Sequence, residues 1–300
     1  MNRRQFITRG ALLGGGVALG LELAAEGPAG ESRPLRLVFF TDVHARAEAA
    51  IEARLERAAA AINAVGADLV IGGGDYLHGG FGADESEIEP RVLAAKRFLD
   101  RLEGRVELIA GNHDLVGAGR AHPDPWRVPR EVFGIAARYR RFDWGGISFF
   151  LLDSVRITPN ASEAGYTGGI EAAQRHWIEK ELAEIPRERP LVIVTHVPFR
   201  SLFRQVGEGP TAALGSNLAV DNANEVLALF RGRRIAAVLQ GHLHVDEHLR
   251  FNGVPFITGG AVCGAWWRGT HLGTPEGFQE LRVSGDAGAA VKPAYRPLAE

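Results

Sequence analysis

From residue 35 onward the chain alternates short apolar runs with longer amphipathic stretches. Leu35 to Phe40, Leu69 to Ile71, Val106 to Ala110, Leu191 to Val194 and Ile235 to Leu239 are largely apolar and too short for helices. Such runs read as β-strands. Between them apolar residues recur at helical spacing: Ile51, Leu55, Ala58, Ile62 and Val65 after the first run, and Val92, Leu93, Ala95, Phe98, Leu99 and Leu102 after the second. A third helix, announced by Gly169, carries Trp177, Ile178 and Leu182 before Pro186, and a fourth runs from about Ala223 to Phe230. Tyr139 to Asp143 and Ile147 to Leu152 flank the turn Trp144-Gly145-Gly146 and read as an antiparallel pair. Further extended segments follow at His248 to Phe251, Pro255 to Thr258 and Phe278 to Val283. Together these predict an α/β fold, a four-layer sandwich of two mixed β-sheets flanked by helices, in one domain over residues 31–300.

The polar residues that end each apolar run carry the chemistry. In chain order they are Asp42-Val43-His44, Gly74-Asp75, Gly111-Asn112-His113-Asp114, Thr195-His196 and Gly241-His242-Leu243-His244. Open α/β sheets place their ligands at strand C-termini, which is where all of these fall. Alternation along an extended backbone sends residues two apart to one side, so Asp42 with His44, and His242 with His244, are expected to converge. Asp75 follows Gly72, Gly73 and Gly74, which let the backbone pass close to a cluster without a Cβ in the way. Its two carboxylate oxygens suit it to bridge two cations. Asn112 offers a neutral oxygen and His113 an imidazole, whose tautomer Asp114 is placed to fix.

The ordered set resembles the calcineurin-like metallophosphoesterase superfamily, in its cyclic-nucleotide-phosphodiesterase-like branch, over nearly all of the chain after residue 30. By that resemblance one metal ion is held by Asp42, His44, His244 and the bridging Asp75, and a second by Asp75, Asn112, His196 and His242. The two ions are manganese, iron or zinc, since oxygen and nitrogen ligands of this kind accept several first-row metals. The implied reaction is hydrolysis of a phosphodiester or phosphomonoester by a metal-activated hydroxide, with Asn112, His113 and Asp114 as the catalytic group and His113 as general acid. His78 lies three residues after Asp75, where purple acid phosphatases carry a metal-binding tyrosine, many cyclic-nucleotide relatives an aspartate, and repair nucleases of the superfamily a histidine. It is assigned to substrate, with Arg200, Trp266 and Trp267 from glycine-rich or polar loops.

Composition narrows the alternatives. Net charge is −2 and the pI about 6.6, without the basic surplus that reading a nucleic-acid backbone needs. That weakens the alternative of a nuclease of the same superfamily; the other alternative, a non-catalytic binding protein on this scaffold, is opposed by the full ligand set and His113. The expected partner is a small phosphate ester. Asn2-Arg3-Arg4-Gln5-Phe6-Ile7 resembles the twin-arginine export signal, and the uncharged run Ala11 to Leu21 is too short to span a bilayer. Residues 1–30 are therefore expected to engage the twin-arginine machinery, to be cleaved near Leu23-Ala24-Ala25, and to leave a periplasmic protein without a transmembrane segment. Cys263 is the sole cysteine, so no intrachain disulfide forms and no lipid is attached behind the signal.

Overall fold

A computed structural model describes residues 33–158, 164–284 and 291–298. The expected signal, residues 1–30, lies outside them. Among the described residues no helix is long and apolar enough to cross a membrane.

The first sheet is built from β1 (Leu35–Phe40), β2 (Leu69–Gly72), β3 (Val106–Leu108), β12 (Gly277–Val283) and β13 (Val291–Pro297), in the order β13-β12-β1-β2-β3. Its β1, β2 and β3 are parallel, and β12 and β13 extend it antiparallel. The second sheet contains β4 (Arg140–Trp144), β5 (Ile147–Leu151), β8 (Pro190–Thr195), β9 (Arg234–Gln240), β10 (Asp246–Phe251) and β11 (Val254–Gly259), ordered β10-β11-β9-β8-β5-β4. Here β5, β8, β9 and β11 are parallel while β4 and β10 close the edges antiparallel. A separate two-stranded ribbon pairs β6 (Val155–Ile157) with β7 (Tyr166–Gly168).

Period-two alternation explains why the sheets stack. In β1, Leu35, Leu37 and Phe39 pack into the core shared by the two sheets, whereas Val38 and Phe40 face α1 (Ala49–Ala64) and α2 (Glu85–Asp100). In β8, Val192 and Val194 join the shared core, and Leu191 and Ile193 face α4 (Ala172–Ala183) and α6 (Ala223–Leu229). The result is helix, sheet, sheet, helix: the four layers expected from the sequence. Two short helices, α3 (Arg127–Glu131) and α5 (Phe203–Glu208), lie in connections. The parallel strands β1, β2, β3, β8 and β9 deliver their C-termini to one end of the sandwich, so both sheets contribute to a single site.

Candidate metal centre

The ligand-bearing loops leave the strands by sharp turns, not by strand alternation. Asp42 (φ 55°), His44 (φ 44°), Asp75 (φ 58°), His242 (φ 73°) and His244 (φ 58°) are all left-handed. The expectation that each His or Asp pair converges along an extended backbone is thus corrected, since β1 ends at Phe40 and β9 at Gln240. A left-handed non-glycine residue costs about 1–2 kcal/mol, so this concentration marks backbone strain held at a functional place. What holds it is visible. Asp42 N–H donates to Gly74 O at 3.0 Å and His44 N–H to Asp75 O at 2.9 Å, tying the loop after β1 to the loop after β2. Gly74 is itself left-handed, and a Cβ on Gly111 would run into the Asp75 carboxylate, so this close approach requires glycine.

Asp42, His44, Asp75, Asn112, His196 and His244 are at most 3% exposed, and His242 is half-buried beside them. They fall into two groups that share Asp75. On one side Asp42 Oδ1 lies 3.8 Å from His44 Nε2 and 3.3 Å from His244 Nε2, and those two nitrogens are 3.0 Å apart. On the other side His196 Nε2 lies 3.1 Å from Asn112 Oδ1 and 3.2 Å from His242 Nδ1. Asp75 Oδ2 stands between the groups, 3.6 Å from His44 Nε2 and 3.3 Å from His196 Nε2.

The orientation of the rings tests whether this donor set suits metal ions. His196 Nδ1 donates to Gly73 O at 2.8 Å, His244 Nδ1 to Gly264 O at 2.7 Å, and His242 Nε2 to Asn217 O at 3.0 Å. A carbonyl only accepts, so each outer nitrogen carries a ring proton and the inner nitrogen faces the cluster, where it offers a lone pair once deprotonated. Asp42 Oδ1 is buried without any hydrogen-bond donor. Buried lone pairs converging from Asp, His and Asn are what hard or borderline divalent ions require. The residues fit two cations.

Protonation in the metal-free protein follows from the same charges. Burial pulls His196 down, but the Asp75 and Asp42 carboxylates outweigh it and hold the ring at about 9. Asp75 is pushed up by burial and pulled below the usual carboxylate range by His196 and His113. Burial takes His44 down to about 3 and His242, also beside His196, to about 4.

Not every expected residue takes its expected part. Asp114 makes no hydrogen bond to the His113 ring: its oxygens accept the backbone N–H groups of Asp75, Tyr76, Leu77 and Gly111 at 2.8–3.3 Å. Burial and the Asp75 charge push it up to about 7. It organises the Asp75 turn, and the tautomer of His113 is set elsewhere, by Gly79 N–H donating to Nδ1 at 2.8 Å. That bond leaves the proton of the neutral ring on Nε2. Trp267 is buried, donates Nε1–H to His44 O at 2.9 Å and lies under the Arg54 guanidinium, so it props the His44 loop and does not face substrate. Arg200 spends its Nη donors on Phe199 O and Asn224 Oδ1.

His78 and Trp266 do stand at the site. The His78 ring stacks 5.8 Å from His113 and meets His44 edge-on at 5.6 Å. Trp266, half-buried with φ 53°, lies 4.4 Å from the His244 ring. His271 packs against Trp266 at 5.5 Å and stacks over Phe203 at 6.3 Å. Sequence reading missed Arg46, whose Nη2 sits 3.0 Å from His78 Nε2. It also missed His271, Phe203 and the carbonyls of Gly73, Asn217 and Gly264. Backbone acceptors leave no residue signature, but Arg46 carries one, two residues past His44 in the first motif.

Comparison with known proteins agrees with this geometry. A protein of Rhodopseudomonas palustris named for cyclic nucleotide phosphodiesterase activity is 30% identical over 207 residues, covering 68% of this chain and 67% of its own. A protein of Mycobacterium tuberculosis named a cAMP/cGMP dual specificity phosphodiesterase is 28% identical over 115 residues, 38% of this chain and 33% of its own. Among solved structures, a dimetal phosphatase from Danio rerio shares the fold, with a TM-score of 0.62 at 14% identity, covering 89% of this chain and 98% of that one. The sequence profile described as calcineurin-like phosphoesterase matches residues 35–246, from the first strand to just past His244. With that match across most of the sandwich and both ligand groups inside it, the chain belongs to the calcineurin-like phosphoesterase family and is a metal-dependent phosphoester hydrolase.

Proposed function

We propose that the protein is an exported two-metal phosphoesterase that hydrolyses a small phosphodiester or phosphomonoester. The observation that carries this reading is Asp75 Oδ2, which lies within 3.6 Å of a ligand nitrogen from each group. Asp42, His44 and His244 would hold one ion with Asp75, and Asn112, His196 and His242 the other; manganese, iron and zinc all suit these donors. Bound there, two cations supply Lewis acidity toward phosphoryl oxygens and lower the pKa of a water. The chain's own residues do the rest. His113, with Nδ1 accepting from Gly79, presents Nε2–H to the site and is the proton donor for the departing alkoxide. Asp114 fixes the turn that aims Asp75, through four backbone N–H bonds. Trp266 and His271 offer an aromatic wall for the leaving group.

Export rests on Arg3 and Arg4 and the uncharged run behind them, and it places the working enzyme in the periplasm. The test of function is hydrolysis of p-nitrophenyl phosphate and of its bis ester by purified protein loaded with manganese, iron or zinc. Turnover of either ester is expected, and turnover of neither contradicts the reading. A nuclease would instead need activity on DNA or RNA, and the net charge of −2 gives a polyanion no basic track.

A further inference from the structure

Arg46 stands beside His78 and, unlike Arg54, Arg97, Arg127 and Arg156, pairs with no carboxylate among the described residues; its neighbour Arg91 likewise has none, but spends Nη1 on His78 O. The sole hydrogen bond of Arg46 among those residues is from Nη2 to His78 Nε2, at 3.0 Å, and its Nε is buried without an acceptor. A guanidinium only donates, so His78 Nε2 accepts and the ring proton sits on Nδ1, which is likewise buried without a partner. One ring nitrogen each from His44, His78 and His113 lies within 4.8 Å of the others, so the His78 ring borders the reacting centre and brings the Arg46 guanidinium bonded to it close to that centre. Half-buried unpaired cations and buried unsatisfied donors are both costly, and an anionic oxygen would relieve both at once.

From this the geometry points to Arg46 and His78 as a clamp for an anionic oxygen of the transferred phosphoryl group, which selects phosphomonoesters over phosphodiesters. The inference rests on the phosphoesterase reading and narrows it. At neutral pH a monoester carries close to two negative charges, because its second pKa is about 6. A diester carries one, and puts a carbon-bearing ester oxygen where the monoester has a bare anionic one. Such an ester oxygen accepts weakly and brings a substituent into the space beside Arg46 and His78. A fixed guanidinium with a neutral N–H beside it therefore discriminates by charge and by shape. Arg46 is a specificity-determining residue in this account, and His78 its orienting partner.

The test uses the metal-loaded full chain with p-nitrophenyl phosphate, its bis ester, and inorganic phosphate. For the parent protein, kcat/KM is expected to be higher for the monoester. Arg46→Ala should lower the monoester-to-diester ratio of kcat/KM about tenfold or more, and should weaken calorimetric binding of inorganic phosphate by a similar factor. Arg46→Lys, which keeps the charge but not the planar fork, should restore only part of both. Metal content, measured on each variant, should equal that of the parent. An equal fall in both esters, or an unchanged ratio with unchanged phosphate binding, overturns the clamp while leaving the phosphoesterase intact. A parent protein that prefers the diester overturns it as well. A parent that hydrolyses neither ester overturns the broader reading beneath it.

Discussion

The floor of the site and its rim are built by opposite means. At the floor Asp42, His44, Asp75, Asn112, His196 and His244 are at most 3% exposed, each one to four residues beyond a strand that is hydrogen-bonded into a sheet. Asp42, His44, Asp75 and His244 sit in strained left-handed turns over-determined by backbone bonds such as Asp42 N–H to Gly74 O. At the rim Arg46, His78, Phe203, Trp266 and His271 are half-buried residues of connecting segments, meeting through ring contacts and one Arg–His bond. A buried floor preorganises charge for a reaction common to many esters, whereas the more open rim is where the rest of an ester is accommodated. Substitutions at the two levels should therefore differ in kind: floor changes act on metal content and kcat, rim changes on KM and on the ratio between substrates.

The largest break is at the shared ligand. Asp75→Asn removes the charge that serves both groups, and activity should fall at least about 10⁴-fold, the equivalent of about 5 kcal/mol of transition-state stabilisation, with metal content below that of the parent. Retention of both metals and of activity would remove Asp75 from the centre of the account. Next comes His113→Ala, expected to cost about 10³-fold on an ester with an alkoxide leaving group and much less on p-nitrophenyl phosphate, whose leaving group departs without a proton. Equal losses on the two substrates would assign His113 to positioning alone.

The expectation for metal binding follows from His196. Its pKa is raised by Asp75 and Asp42 from 6.5 to about 9, so at pH 7.5 the metal-free ring holds a proton that a cation must displace. Affinity for metal should rise at least about tenfold per pH unit toward pH 9, since the His244 ring is raised as well, and calorimetry in buffers of different ionisation enthalpy should register proton release. The linked stability has a definite sign. With the folded value above the unfolded one, the metal-free protein keeps this contribution below about pH 6.5 and loses it as pH rises through about 9. Metal binding without proton release at pH 7.5 would contradict the charge assignment. The smallest effect belongs to the rim: Trp266→Ala should raise KM for aryl esters about fivefold, near 1 kcal/mol of lost stacking, with kcat little changed.

The same division explains what the sequence made legible. The strands β1, β2, β8 and β9 announce themselves as apolar runs because they are buried between layers, and their ligands follow within a few residues. The helices α1, α2, α4 and α6 were readable from one buried stripe each. By contrast β13 reads poorly, since Pro293 and Pro297 interrupt it, and it survives as a strand because it is an edge of the first sheet. The ribbon β6 with β7 and the short helices α3 and α5 depend on tertiary neighbours more than on local pattern. At the site, residue identity foretold which groups gather in the buried cluster but not how they converge, because left-handed turns at Asp42, His44, His242 and His244 are set by long-range backbone bonds. It also misassigned Trp267, whose neighbour Trp266 faces the cluster while Trp267 faces the core. Two adjacent tryptophans look alike in sequence, and the backbone alone decides which one is outside.

Asp75, standing between the two groups, would serve both ions of one reacting centre. The decisive measurement is metal analysis of the protein from its native compartment, followed by chelation and stepwise return of the same metal during ester hydrolysis. Two metal ions per chain are expected, with activity abolished by chelation and recovery complete only as the second ion binds. One ion per chain at full activity, or hydrolysis that survives removal of both, would contradict this arrangement.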